Sequence, residues 1–144
     1  MEQTELRNSL TASLGSIYEI GAVENLTEFW QGESHVLEYL YQHSNSEINP
    51  SVLSDALNVS RARITAALSA LRKKGYVTME MCEHDRRRVR VILTDEGKQF
   101  IKVKQQKVKE HFDVLINGLG EENVIELTRL IDLSAEVMRN KSFG

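Results

Sequence analysis

Seven arginines fall between residues 61 and 90, and their spacing divides them into groups with different chemistry. Arg61 and Arg63 open the run S-R-A-R-I-T-A-A-L-S-A-L-R-K-K-G (60–75), whereas Arg86, Arg87, Arg88 and Arg90 crowd the run E-H-D-R-R-R-V-R (83–90). A guanidinium donates paired N–H bonds to a guanine edge or to a phosphate, so the chemistry on offer is recognition of a polyanion. Four arginines within five positions repel one another, and a fold gains nothing from them without an anionic partner. Asp85, placed beside them, reads as a brace that orients one of the guanidiniums.

Charge is concentrated rather than general. The chain of 144 residues carries a net charge of −3, yet residues 61–90 hold nine Arg or Lys against three Asp or Glu. That stretch is therefore +6 and the remainder −9. A local basic patch on an acidic protein is the footprint of a groove-binding surface.

The elements that would position these residues follow from periodicity. Ile64, Ala67, Leu68 and Leu71 recur at i, i+3, i+4 and i+7, so residues 61–74 form a helix with one buried face, capped by Ser60 and ended by Gly75. Arg61, Ala62, Arg63, Thr65, Ala66 and Ser69 are left outward near the N-terminal end, the end that meets base edges when a helix-turn-helix docks. Taken alone, the same face also reads as a solvated surface whose charges serve solubility.

Asn49-Pro50 starts a short helix over 50–57, and Asn58-Val59 makes the turn between the two. Alternation predicts strands at 77–82 and 88–93 around a turn at 83–87, so that His84, Asp85, Arg86, Arg87 and Arg88 form the tip of a wing. Such a tip is narrow enough for a minor groove, whose negative potential attracts guanidinium groups. Further helices are expected from the Leu6, Leu10, Leu14, Ile17 stripe, over 33–43, from Thr94 to a break at Gly118 and Gly120, and over 121–140.

The fold class is thus mainly α with a small β part (α+β): a winged helix-turn-helix core at 32–97, flanked by dimerisation helices at 1–31 and 98–144. The flanking helices are too apolar to stand alone, which predicts a homodimer about a two-fold axis. No apolar run approaches the ~20 residues of a membrane span, and the N-terminus lacks a signal pattern, so a cytoplasmic location is expected. The lone Cys82 suits a reducing compartment and removes any Cys-rich zinc site; it reads as a half-buried strand residue or as a reactive thiol.

Other functions are weaker. No nucleophile–base constellation, phosphate loop or paired-His motif is present, and Glu83-His84-Asp85 sits among arginines, so no enzyme and no cofactor are expected. His35, His43 and His111, with Glu24 or Glu38, read either as a metal site of a metal-responsive regulator or as ordinary surface histidines. Tyr18, Phe29, Trp30 and Tyr41 read either as the lining of an effector pocket or as core packing. A winged helix that docks a protein through the same face would need an apolar anchor there, and Ala62 and Ala66 supply none.

The stretch L-S-D-A-L-N-V-S-R-A-R-I-T-A-A-L-S-A-L-R-K-K-G-Y-V (53–77), followed by D-R-R-R-V-R-V-I-L-T-D-E-G (85–97), resembles the multiple antibiotic resistance regulator (MarR) family of bacterial winged-helix repressors. The family pattern of Asp, any residue, Arg and a strand ending in Leu-Thr-x-x-Gly is matched by Asp85, Arg87, Leu93, Thr94 and Gly97. The resemblance implies a bacterial homodimer on double-stranded DNA of pseudo-palindromic sequence, acting as a repressor and released, as many of the family are, by a small-molecule effector or an oxidant. It implies Arg61, Arg63 and Thr65 in the major groove and Arg87 in the minor groove, with Asp85 holding its geometry. The first helix lacks the cysteine of the family's peroxide sensors, and residues 95–110 lack the histidines of its zinc sensors.

Overall fold

The computed structural model describes residues 1–21, 26–82 and 85–141, with the side chains of Glu28, Cys82 and residues 85–87 outside the description. The order is α1 (Gln3–Glu19), a 3-10 turn (Glu28–Trp30), α2 (Gly32–Gln42), α3 (Pro50–Leu57), α4 (Arg61–Lys73), β1 (Val77–Cys82), β2 (Asp85–Leu93), α5 (Asp95–Leu119) and α6 (Glu121–Arg139). The strands form one antiparallel two-stranded sheet. The chain divides into two compact units, residues 1–106 and 107–144. No helix among the described residues is long and apolar enough to cross a membrane.

One core organises the first unit. Val36, Leu37 and Leu40 of α2 meet Leu53 of α3 and Ile64, Leu68 and Leu71 of α4, with Val77, Val91 and Ile101 closing the cluster from the strands and α5. Side-chain alternation on the strands puts Val77 and Val91 inward and Thr78, Glu80 and Arg90 outward. A backbone bond from the Val91 N–H to the Ile48 carbonyl, 2.7 Å, pins β2 to the segment before α3.

In two places the chain departs from the expected elements. The second strand begins at Asp85 rather than 88. Met81 pairs with Val89 while the adjacent Cys82 pairs with Asp85, so residues 86–88 ride in a bulge on β2 instead of in the turn. Gly118 does not break α5, because one glycine costs a helix only about 1 kcal/mol and its neighbours carry it. Gly120, at φ 81°, makes the break alone.

Two local devices set the helix-turn-helix and the wing. Between α3 and α4, Asn58 adopts the left-handed conformation at φ 52°. The Ser54 hydroxyl donates to the Val59 carbonyl at 2.6 Å, and the Val59 N–H donates to the Ser54 carbonyl at 3.1 Å, so one residue ties the turn from both sides. Between the wing and α5, the Thr94 hydroxyl donates to the Gly75 carbonyl at 2.7 Å and accepts from the Gly97 N–H at 3.0 Å. The Thr94 N–H donates to the Tyr76 carbonyl at 3.1 Å. Gly97 lies so close to that carbonyl that an added Cβ would sit 2.2 Å from its oxygen.

This geometry gives the Leu93-Thr94-x-x-Gly97 pattern a mechanical meaning. Gly97→Ala is expected to cost about 1–3 kcal/mol or more, as overpacking against backbone cannot relax by a rotamer change. Urea unfolding measures it; an unchanged midpoint would mean that the approach is not tight. Asn58→Ala should cost about 1–2 kcal/mol from the left-handed penalty, and Asn58→Gly less. Equal losses for the two variants would remove backbone conformation as the reason for Asn58.

Candidate nucleic-acid interface

The outward face of α4 is built from its first two turns. Ser60 caps the helix, its hydroxyl oxygen accepting from the Arg63 N–H at 3.2 Å. Ile64, Leu68 and Leu71 are buried and Ala67 half-buried, which turns the opposite face outward. Ser60, Arg61, Ala62, Arg63, Thr65, Ala66 and Ser69 are all exposed. The face is therefore short side chains beside two arginines, on a helix held rigidly from behind.

The two arginines differ in what holds them. Arg61 Nη1 donates to the Ser51 hydroxyl oxygen at 2.5 Å, across the turn to the second residue of α3. Arg63 has no side-chain partner among the described residues. The Thr65 hydroxyl donates back to the Arg61 carbonyl at 2.9 Å, so toward a partner it offers a methyl group or an acceptor. Ser51 was not singled out by sequence; its position just inside the Asn49-Pro50 helix start was the available signal.

On the wing, Arg88 and Arg90 are exposed on β2. His84 and the side chains of Asp85, Arg86 and Arg87 lie outside the described residues. A cavity of about 380 Å³ opens where the start of α3, the start of α4 and β2 meet, lined by Asn49, Ser51, Arg61, Arg88 and Val89. Among the described residues, two guanidiniums and no carboxylate line it.

A second cavity, of about 240 Å³, lies between the start of α2, the end of α4 and the start of α5. Tyr76 and Phe100 stack along it with centroids 4.5 Å apart, and Lys104 Nζ stands 5.2 Å over the Phe100 ring and donates to the buried Ser34 hydroxyl at 3.2 Å. Lys74 donates to Glu33 at 2.6 Å at its rim, and that hydrogen bond raises the Lys74 pKa above its ordinary value. Neither cavity is lined by Tyr18, Phe29, Trp30 or Tyr41. Phe29 and Tyr41 pack against the core, whereas Tyr18 and Trp30 are each 64% exposed.

His43 and His111 each meet a carbonyl of their own helix. The His43 ring stacks on Tyr39 at 4.0 Å and its Nδ1 lies 2.9 Å from the Tyr39 carbonyl oxygen; the His111 Nδ1 lies 2.7 Å from the Lys107 carbonyl oxygen. Each ring is thereby committed to its own helix. Among the described residues no group of three or more His, Cys, Asp or Glu side chains could hold a metal ion. Glu24, offered with them by sequence, lies outside the described residues, as does the Cys82 thiol.

Residues 33–111 match the winged helix DNA-binding domain family. The HTH-type transcriptional repressor YetL of Bacillus subtilis (strain 168) is 29% identical over 107 residues, covering 72% of this chain and 62% of YetL. The chain thus spans less than two thirds of that relative's length. The uncharacterized HTH-type transcriptional regulator YdgJ of the same organism is 34% identical over 119 residues, covering 81% of this chain and 68% of YdgJ. Among solved structures, Streptococcus pneumoniae FabT in complex with DNA superposes with a TM-score of 0.70 at 23% identity, covering 94% of this chain and 99% of that one. A capped helix-turn-helix, a basic hairpin pinned beside it and a matching domain over more than half of the chain converge on one assignment: the chain belongs to the winged helix DNA-binding domain family, and to its MarR-type regulators.

Proposed function

We propose that this protein is a sequence-specific, DNA-binding transcriptional regulator that acts as a repressor and as a homodimer on a pseudo-palindromic operator. The observation that carries the reading is the exposed N-terminal face of α4, with Ala62, Arg63, Thr65, Ala66 and Ser69 pointing away from a fully buried opposite face. In helix-turn-helix docking that end of the second helix enters the major groove, and small residues beside an arginine let the backbone approach the base edges. The wing, with Asp85, Arg86, Arg87 and Arg88, takes the adjacent minor groove. YetL, by its name a repressor, supports the sign of regulation.

Dimerisation rests on apolar surface without a cover. Leu6, Leu10 and Leu14 of α1 are exposed by 54%, 63% and 60%, and α1 buries no residue. In the second unit α6 likewise buries none, with Ile125, Ile131 and Val137 more than half exposed. Helices owe most of their stability to the packing of an apolar face, and exposed apolar surface of this kind marks an interface. A second copy of the chain supplies it and also the second recognition helix that a palindrome requires. Tyr18 and Trp30 present aromatic surface to that second copy or to a small-molecule effector.

Selection from a random duplex pool should return two related half-sites centred about 10 bp apart, one helical turn. Recovery of no preferred sequence would end the regulator reading. Arg63→Ala should weaken binding to the selected duplex by tenfold or more, since a good base contact is worth ~1–3 kcal/mol of discrimination. Sedimentation should give twice the chain mass, and Ile131→Glu should shift the protein toward monomer and lower operator affinity with it. A wild-type monomer that still binds the full operator tightly would remove the dimer from the proposal.

A further inference from the structure

Thr65 is exposed on the outward face of α4, and its hydroxyl donates to the Arg61 carbonyl one turn back at 2.9 Å. The hydroxyl proton is therefore committed to the helix's own backbone. What the side chain holds out from the helix is a methyl group, with an oxygen lone pair turned back beside it. Ala62, three residues before Thr65, and Ser69, four residues after it, share its face and are exposed as well.

The neighbour that would most readily cover this methyl is drawn away. Arg61 lies four residues before Thr65, the spacing at which side chains of one helix meet. Its Nη1 donates instead to the Ser51 hydroxyl oxygen of α3, 2.5 Å across the turn. Thr65 stays open as a result, and Ala62 and Ala66 beside it add no donor or acceptor.

A base edge pressed against such a surface loses its water. Adenine, guanine and cytosine present only amino groups, ring nitrogens or carbonyl oxygens in the major groove, and leaving those unpaired costs free energy. Thymine alone presents an apolar group there, its C5-methyl, which gains by burial.

We propose that Thr65 is a specificity-determining residue that reads a thymine in each half-site through its methyl group, while its hydroxyl serves the helix and not the base. This rests on the DNA-binding reading above and narrows it. Recognition by α4 then divides between the Arg63 guanidinium, for a hydrogen-bonding edge, and the Thr65 methyl, for a methyl.

The experiment starts from the duplex selected out of the random pool. Each thymine is replaced in turn, in both half-sites together, by uracil, which differs only in lacking the C5-methyl. Affinity for each duplex is measured with the wild type, Thr65→Ser and Thr65→Val, with thermal melts as folding controls. Thr65→Ser keeps the hydroxyl and deletes the methyl; Thr65→Val does the reverse.

One thymine position should show a uracil penalty of about fourfold per half-site with the wild type, the effect of burying one methyl or methylene group. Thr65→Ser should lose the same total factor on the thymine duplex and nothing further on the uracil duplex, because the two changes remove the two halves of one contact. Thr65→Val should retain the uracil penalty at that position.

The inference is overturned if no thymine shows the penalty, if Thr65→Ser leaves every penalty intact, or if Thr65→Val loses it as Thr65→Ser does. It is also overturned if Thr65→Val, and not Thr65→Ser, loses preference for an adenine or a cytosine, which would make the hydroxyl oxygen the reader. A wild type that selects no sequence would sink the regulator reading and this inference with it. A selected operator without a Thr65-dependent uracil penalty sinks the inference alone.

Discussion

Four elements meet at Thr94, and the placement of the wing against the helix-turn-helix depends on that meeting. The hydroxyl bridges the Gly75 carbonyl, just past the end of α4, to the Gly97 N–H in the first turn of α5. The Thr94 N–H binds the Tyr76 carbonyl, which is also the atom that only a glycine at 97 can approach. The end of the recognition helix, the start of β1, the end of β2 and the start of α5 are thus fixed by one residue and one absent Cβ. With the Val91–Ile48 backbone bond holding the other side of the wing, the hairpin has little freedom to swing relative to α4.

That rigidity has an electrostatic use. A net charge of −3 would keep a freely tumbling acidic protein away from DNA, but a net positive charge is concentrated in residues 61–90, on elements that the joint holds side by side. Arg61 from α4 and Arg88 from β2 reach the same cavity only because helix and strand are locked. Screening shortens the range of such a patch to about 8–10 Å at physiological salt, so its effect is felt at contact and not at a distance. The acidic remainder then discourages binding through any other face.

Much of this was legible in the chain because it depends on local rules. The apolar spacing of Ile64, Ala67, Leu68 and Leu71 divides α4 into the two faces that burial shows, and Asn49-Pro50 and Ser60 start their helices where the caps form. The Thr94 and Gly97 pattern was visible as a family likeness, while its cause, a backbone-to-backbone approach with Tyr76, is a long-range contact that no periodicity encodes. Likewise the Arg61–Ser51 bond joins side chains ten residues apart across a turn, which only the folded turn brings within reach. The bulge at 86–88 was missed because alternation shows where a strand runs and not where its partner skips residues. Histidine spacing suggested a metal site, but no group of potential ligands comes together among the described residues, where His43 and His111 each meet a carbonyl of their own helix.

The central claim, that α4 and the wing of two copies grip one face of a DNA duplex, is tested most directly by hydroxyl-radical footprinting of the dimer on its selected operator. The account predicts protected backbone patches that repeat at about one helical turn on a single face of the duplex, flanked by minor-groove protection from the wings. Protection that is uniform along the duplex, or confined to one half-site at saturating protein, would contradict it.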